Sequence, residues 1–195
     1  DIYLEEFNGV KGIKNVYFDR HLFQPLLCQS DKITTIPVAL DNNEKDFILQ
    51  LKSYVGTKEF QEICGDKEVF LLRNLSIGNG IGFFEADNFY PDFILWIKED
   101  NKQYITFIDP KGILMLGSLE HPKIKFAKTI KDKQDKLKDY KGQNVILNSF
   151  ILSNTNLNKA KEFFQKPHYT RQDFLEINII FQEDDDGIDK MFRKI

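Results

Sequence analysis

Two apolar runs stand next to each other in the chain, separated by the five polar residues Lys98 to Lys102, and a carboxylate stands within the first and directly after the second. The first, Tyr90 to Ile97, is hydrophobic apart from Asp92; the second, Gln103 to Ile108, leads straight into Asp109-Pro110-Lys111-Gly112. Glu99-Asp100-Asn101-Lys102 is the turn between them. Such runs belong to strands of a well-covered sheet. A hairpin centred between Asp100 and Asn101 places Asp92 directly opposite Asp109, on one face, with Cβ atoms about 4.5–5.5 Å apart. Lys111 lies two residues beyond Asp109 and points to that same face if the strand continues. A charge buried in a sheet must be paired or must bind a cation, and two facing carboxylates repel unless something positive sits between them.

The remaining chain supplies layers for this hairpin. Asn42 or Asn43 can cap a helix starting near Asn43, with Glu44 and Asp46 in its first turn, where the helix dipole favours anions. Phe47, Ile48, Leu51, Tyr54 and Val55 follow helical spacing; Gly56 interrupts the stripe, Phe60, Ile63 and Cys64 resume it, and Gly65 stops it. Glu68 to Leu75 reads as a buried strand ahead of a Gly78-Asn79-Gly80 turn. Pro122 to Tyr140 reads as a basic helix with Phe126, Ala127, Ile130 and Leu137 inward. Asn144 to Leu152 reads as a strand, Asn156 to Phe164 as a helix with Phe163 and Phe164 inward, and Leu175 to Phe181 as a last strand. The acidic run Glu183-Asp184-Asp185-Asp186 precedes a short terminal helix. Within residues 1–40, Val16-Tyr17-Phe18 and Ile33 to Val38 read as short strands, with Pro37 moving the second to an edge. The order helix, three strands, helix, strand predicts an α/β domain with a central mixed β-sheet flanked by helices.

Composition sets the outer bounds. The 195 residues are 42% hydrophobic and 29% charged with a net charge of −3, which excludes a disordered or collagen-like chain. One domain, 1–195, is expected, with its core at about 41–152 and with 1–40 and 153–195 as peripheral additions. Eighteen Phe and seven Tyr supply bulky core material. No run of about 18 apolar residues predicts a membrane span. Cys28 and Cys64 make no disulfide framework, and with His21, His121 and His168 so widely spaced they build no zinc site. A reducing cytoplasm is the expected location. The chain opens at Asp1 without a signal peptide and is expected to be a C-terminal piece of something longer.

Mg²⁺ suits the facing carboxylates: it takes oxygen ligands, keeps several waters, and often uses one or two carboxylates plus substrate phosphates. A lysine beside such an ion can hold an attacking water or neutralise charge on a phosphorus centre. Pro110 biases Asp109 to extended geometry, and its own carbonyl is a further candidate ligand.

Tyr90-Pro91-Asp92-Phe93, a hairpin, then Asp109-Pro110-Lys111 resembles the Pro-Asp…(Asp/Glu)-x-Lys motif of the restriction-endonuclease-like nuclease superfamily. Arg73-Asn74, Gly80-Ile81-Gly82-Phe83, Phe89 to Ile94 and Ile108 to Gly112 are similar to the C-terminal nuclease domain of type III restriction subunits and related DEAD/DEAH-box helicases. The likeness covers roughly Pro37 to Ser153 and implies that family's αβββαβ core. It implies Asp92 and Asp109 as metal ligands, Lys111 as the catalytic lysine, and Glu44 as the acidic residue many members place near the metal; Asp46 and Glu59 are nearby candidates for that last role. The implied activity is Mg²⁺-dependent hydrolysis of phosphodiester bonds in double-stranded DNA, with Mn²⁺ able to substitute. The implied partners are a helicase region of the same polypeptide and a methyltransferase subunit. No Walker A loop is present, so any ATP-driven motor is expected outside this sequence.

From Lys123 to Lys141 there are eight lysines against Asp132, Asp135 and Asp139. Lys125, Lys128 and Lys131 are the candidates for DNA phosphates, the last two sharing a helix face. Plainer readings stand beside these. Asp92 can be a turn carboxylate after Pro91, Asp109 and Lys111 an exposed ion pair, the lysines a solvated helix face, and Glu44 an ordinary first-turn acid. The acidic run lacks EF-hand spacing. The cysteines and Trp96 read as core. From another functional class comes a non-catalytic DNA-binding or docking module that keeps the nuclease fold. A carboxylate-pair glycosidase leaves Lys111 and the basic helix without a role.

Overall fold

Local capping decides where the first helices begin. Asp41 accepts the Glu44 N–H at 2.8 Å, and the Glu44 carboxylate accepts the Asp41 N–H at 2.8 Å, a reciprocal box that starts helix α1 at Asn42–Val55. Helix α2, Lys58–Cys64, is capped by the Thr57 hydroxyl. In this computed structural model residues 5–6, 13–16, 26–30, 39–75, 80–83, 86, 88–137 and 144–195 are described, the first three stretches by their backbone alone.

Those first stretches are strands β1 (Glu5–Glu6), β2 (Ile13–Val16) and β3 (Leu26–Ser30), which form an antiparallel sheet in that order. The main sheet has the order β4 (Glu68–Arg73), β5 (Phe93–Glu99), β6 (Lys102–Lys111), β7 (Asn144–Ser153), β8 (Ile179–Phe181). Its first three strands are antiparallel, whereas β6, β7 and β8 run parallel, so the sheet is mixed. Helix α3, Pro122–Lys136, makes the crossover from β6 to β7. After β7 come α4 (Leu157–Phe163) and α5 (Arg171–Glu176), and α6 (Gly187–Lys194) follows β8.

Alternation along the strands distributes the core. One face presents Val69, Leu71, Phe93, Leu95, Ile97, Ile108, Phe150 and Leu152 to Phe47, Ile48 and Leu51 of α1 and to Met191 and Phe192 of α6. The other presents Ile94, Phe107 and Leu147 to Phe126 and Ile130 of α3. Further along that face Ile151, Ile179 and Phe181 meet Ile113, Leu116, Ala160 and Phe174. Each such side chain, fully buried, contributes about 1.5–3 kcal/mol.

Four sequence expectations need correction. Leu175 to Phe181 is not one strand: Thr170 and Asp173 form a capping box that draws 171–176 into α5, and only Ile179–Phe181 pairs with β7. Trp96 is 43% exposed, because α3 covers Ile94 and Phe107 but not the next position along β5. Leu137, at the end of α3, is 38% exposed. Phe163 is 47% exposed, stacking edge-on against Phe164 instead of entering the core. The expected strand Ile33 to Val38, residues 17–18, the first residues of the Gly78 turn, and Lys138, Tyr140 and Lys141 lie outside the described residues. Among the described residues no helix is long and apolar enough to cross a membrane.

Candidate metal centre

The β5–β6 hairpin has the register expected of it. Glu99 pairs with Lys102, Trp96 with Ile105 and Phe93 with Ile108, with no bulge. Asp100 takes a left-handed φ of 44°, which closes the two-residue loop. Continued one step, this register sets Asp92 opposite Asp109. Asp109 is 2% exposed, and the carboxyl groups come within hydrogen-bonding reach of each other. Burial first, then the hydrogen bond and like charge of Asp109, then the charge of Glu44, push the Asp92 carboxyl up to about 9; Lys111 pulls against them. The pair therefore shares a proton at neutral pH.

Lys111 stays on the face of Asp109, as alternation requires, and its Nζ lies 2.5 Å from Asp109 Oδ2. That oxygen is buried and no donor is aligned on it as a hydrogen bond, so the contact is ionic only. The Lys111 side chain keeps 23% of its surface exposed, enough to meet a molecule arriving from solvent.

Two prolines shape the backbone here. The Lys111 carbonyl faces β7 and accepts the Asn154 N–H at 3.2 Å. Carbonyls alternate along a strand, so that of Pro110 turns towards β5. There the extended register sets it opposite Pro91, which has no N–H to offer. Pro91 gives its own carbonyl to Asn74 Nδ2 at 2.8 Å, and the Asp92 carbonyl takes the Asn74 N–H at 2.8 Å. Asn74 also brackets Ile81 through both ends of its amide, which ties the preceding loop to the base of β5. Gly112 follows Lys111 where a Cβ would stand 3.1 Å from Asn154 Oδ1; Asn154 in turn donates from Nδ2 to Asn43 Oδ1 of α1.

Glu44 reaches the edge of this centre but is held there. Its carboxylate accepts from Arg73 Nη2 at 3.0 and 3.2 Å, and both side chains are nearly buried. Among the described residues no three His, Cys, Asp or Glu side chains converge into a metal-binding group. The oxygens on offer are those of Asp92, those of Asp109, whose Oδ2 has the Lys111 ion pair and no hydrogen bond, and that of the Pro110 carbonyl. That donor set fits a hard divalent cation that completes its shell with water and phosphate, and it does not fit a fully caged ion.

The candidate lysines divide. Lys125 pairs with Glu120 at 2.7 Å. Lys128 is exposed on the helix face. Lys131 donates to the Leu147 carbonyl at 2.5 Å and to Asn148 Oδ1 at 2.8 Å, and partial burial lowers its pKa. It is committed to the rim of β7 and is a poor phosphate ligand. Of the other residues weighed, Asp46 and Glu59 are exposed. His121 Nδ1 caps α3 by accepting the Lys123 N–H, and His168 is exposed. Cys64 is buried and its thiol is pushed up to about 11, an inert core group. The side chains of Cys28 and His21 lie outside the described residues. In the acidic run, Arg171 pairs with Glu183 and Asp184 and Lys190 pairs with Asp186, so that run is a structural ion-pair cluster. Arg73 enters the sequence reading only within the stretch that carries the resemblance, and nothing local connects residue 73 to residue 44.

No family model matches the chain, and neither a curated protein nor a solved structure matches it.

Proposed function

We propose that the chain is an Mg²⁺-dependent endonuclease domain of the restriction-endonuclease-like kind, acting on double-stranded DNA as part of a type III-like helicase-nuclease. One observation carries the reading: the buried Asp109 carboxyl and the half-buried Asp92 carboxyl face each other at the end of the β5–β6 hairpin, Asp109 helps to push the Asp92 carboxyl up, and a lysine ammonium stands alongside. The element order α1, β4, β5, β6, α3, β7 is compatible with the αβββαβ core of that superfamily. A structural role does not explain the contact between the Asp92 and Asp109 carboxyls.

Asp92 and Asp109 would hold the cation, with the Pro110 carbonyl as a neutral third ligand. When bound, the ion supplies Lewis-acid stabilisation to a phosphodiester. Asp92 gives up the shared proton as the ion enters. The Lys111 ammonium, tethered at Asp109 Oδ2, donates hydrogen bonds to the incoming water or to the phosphate oxygen on which charge accumulates. The charges balance on this account. Three acids, two bases and one shared proton sum to zero; exchanging the proton for Mg²⁺ leaves one positive charge, which a single phosphodiester neutralises. Isothermal titration of the protein with Mn²⁺ and cleavage of supercoiled plasmid test it together. Wild type is expected to bind the ion and nick the plasmid, and Asp92→Asn is expected to do neither.

A second reading has its own support. Glu44 is locked to Arg73 rather than turned to the carboxyl pair, which suits a non-catalytic DNA-binding or docking module. DNA binding without Mn²⁺ binding or cleavage selects it.

A further inference from the structure

We propose, resting on the nuclease reading above, that Met115 is an apolar wedge that enters the base stack of duplex DNA beside the scissile phosphate. After Lys111 and Gly112 the chain makes a single 3₁₀ turn, Ile113–Leu116. Two of its four side chains are anchors: Ile113 is fully buried and Leu116 nearly so, both packed with Ile151, the register partner of Asp109. The turn therefore folds onto the sheet face that carries Asp109 and Lys111. The Met115 N–H donates to the Gly112 carbonyl at 3.2 Å, which fixes its backbone one residue from the lysine. Gly117 closes the turn at a φ of 71°, a left-handed conformation that resists substitution. From this tied-down base Met115 projects with 89% of its surface exposed, the most exposed of the large hydrophobic side chains described.

Single exposed apolar residues are common on surfaces and need no explanation. This one differs in its setting. It stands on a short turn locked at both ends, whose buried anchors sit on the sheet face that carries Asp109. The chain then runs within a few residues into α3, where Lys128 offers a free cation to a backbone phosphate. A flexible apolar side chain such as a methionine's is among those that proteins insert between base steps, with cations elsewhere on the surface gripping the phosphates. The partner the chemistry selects is a duplex, since a single strand has no continuous stack to open.

The test uses the whole chain in EDTA, with a defined duplex carrying 2-aminopurine at successive positions, whose fluorescence rises on unstacking, and plasmid nicking in Mg²⁺ run in parallel. Wild type is expected to raise the fluorescence at one step; Met115→Ala is expected to abolish the rise and lower duplex cleavage about tenfold, the equivalent of one lost stacking contact. Met115→Leu is expected to retain both. Wild-type cleavage with no fluorescence change, or a change that survives in Met115→Ala, overturns the wedge while leaving the nuclease standing. Absence of both cleavage and binding in wild type overturns the two together.

Discussion

Two acidic clusters occupy the molecule under opposite conditions. At the surface, Glu183, Asp184 and Asp186 meet Arg171 and Lys190 at 2.5 to 3.1 Å in their closest contacts. At the end of β5 and β6, Asp92 and Asp109 are pressed against each other with the Lys111 ammonium beside them. In the first cluster each of these carboxylates has a cation against it, and the ion pairs stabilise the chain a little. The second is incomplete, and folding has to hold it in a conformation that water would not favour. Strain of this kind persists where a ligand relieves it.

The largest effects should separate the clusters by function. Asp92→Asn is expected to reduce Mg²⁺-dependent plasmid cleavage by more than about a hundredfold while raising the melting temperature of the metal-free protein at pH 8, because an amide folds without taking up a proton. Asp184→Asn should do the reverse, leaving cleavage unchanged and lowering the melting temperature. A wild-type cleavage rate in Asp92→Asn would erase the distinction. Lys111→Ala should follow closely, losing about 10²–10³ in kcat while Mn²⁺ binding persists; loss of ion binding instead would make the lysine a structural counter-charge.

Titration sharpens the same contrast. A free aspartate titrates near 3.9, and Asp92 is pushed up to about 9. The folded chain therefore binds a proton that the unfolded chain has released. Stability of the metal-free protein is fully present below about pH 4 in this respect and is lost as pH rises towards 9. Melting curves in EDTA across that window should show the decline, Mg²⁺ should restore stability at the alkaline end, and Asp92→Asn should flatten the slope. Arg171→Ala is a smaller perturbation, within about 1 kcal/mol by denaturant titration because the ion pairs are half exposed. Smallest of all, Lys128→Ala should weaken duplex binding a few-fold and reduce its salt slope by about one, measured by fluorescence anisotropy.

The hairpin was readable because a two-residue loop fixes register and because side-chain direction alternates strictly, so Asp92 and Asp109 could be matched by position alone. The start of α1 is local too, but its cap is Asp41 and not Asn42 or Asn43, because only Asp41 stands three residues before Glu44 and can form the reciprocal box with it. Errors arose where neighbours outweighed pattern. Leu175 and Ile177 look like strand residues, but a capping box upstream commits their segment to a helix. Trp96 alternates correctly, yet what covers a sheet position depends on how far the crossing helix reaches. Lys131 was grouped with its basic neighbours, and only the tertiary structure reveals its bond to Leu147. The pairing of Arg73 with Glu44 spans 29 residues and carries no spacing signal.

That bond from Lys131 has a wider consequence. β8 pairs with β7 only from Ile151 to Ser153, so among the described residues the earlier stretch of β7 has β6 on one side and no strand on the other. Lys131 claims the Leu147 carbonyl and Gln134 its N–H, so a foreign strand finds that seam already stitched. One ammonium group on α3 is thus spent on guarding a strand edge and is not left free to meet an anion from solvent.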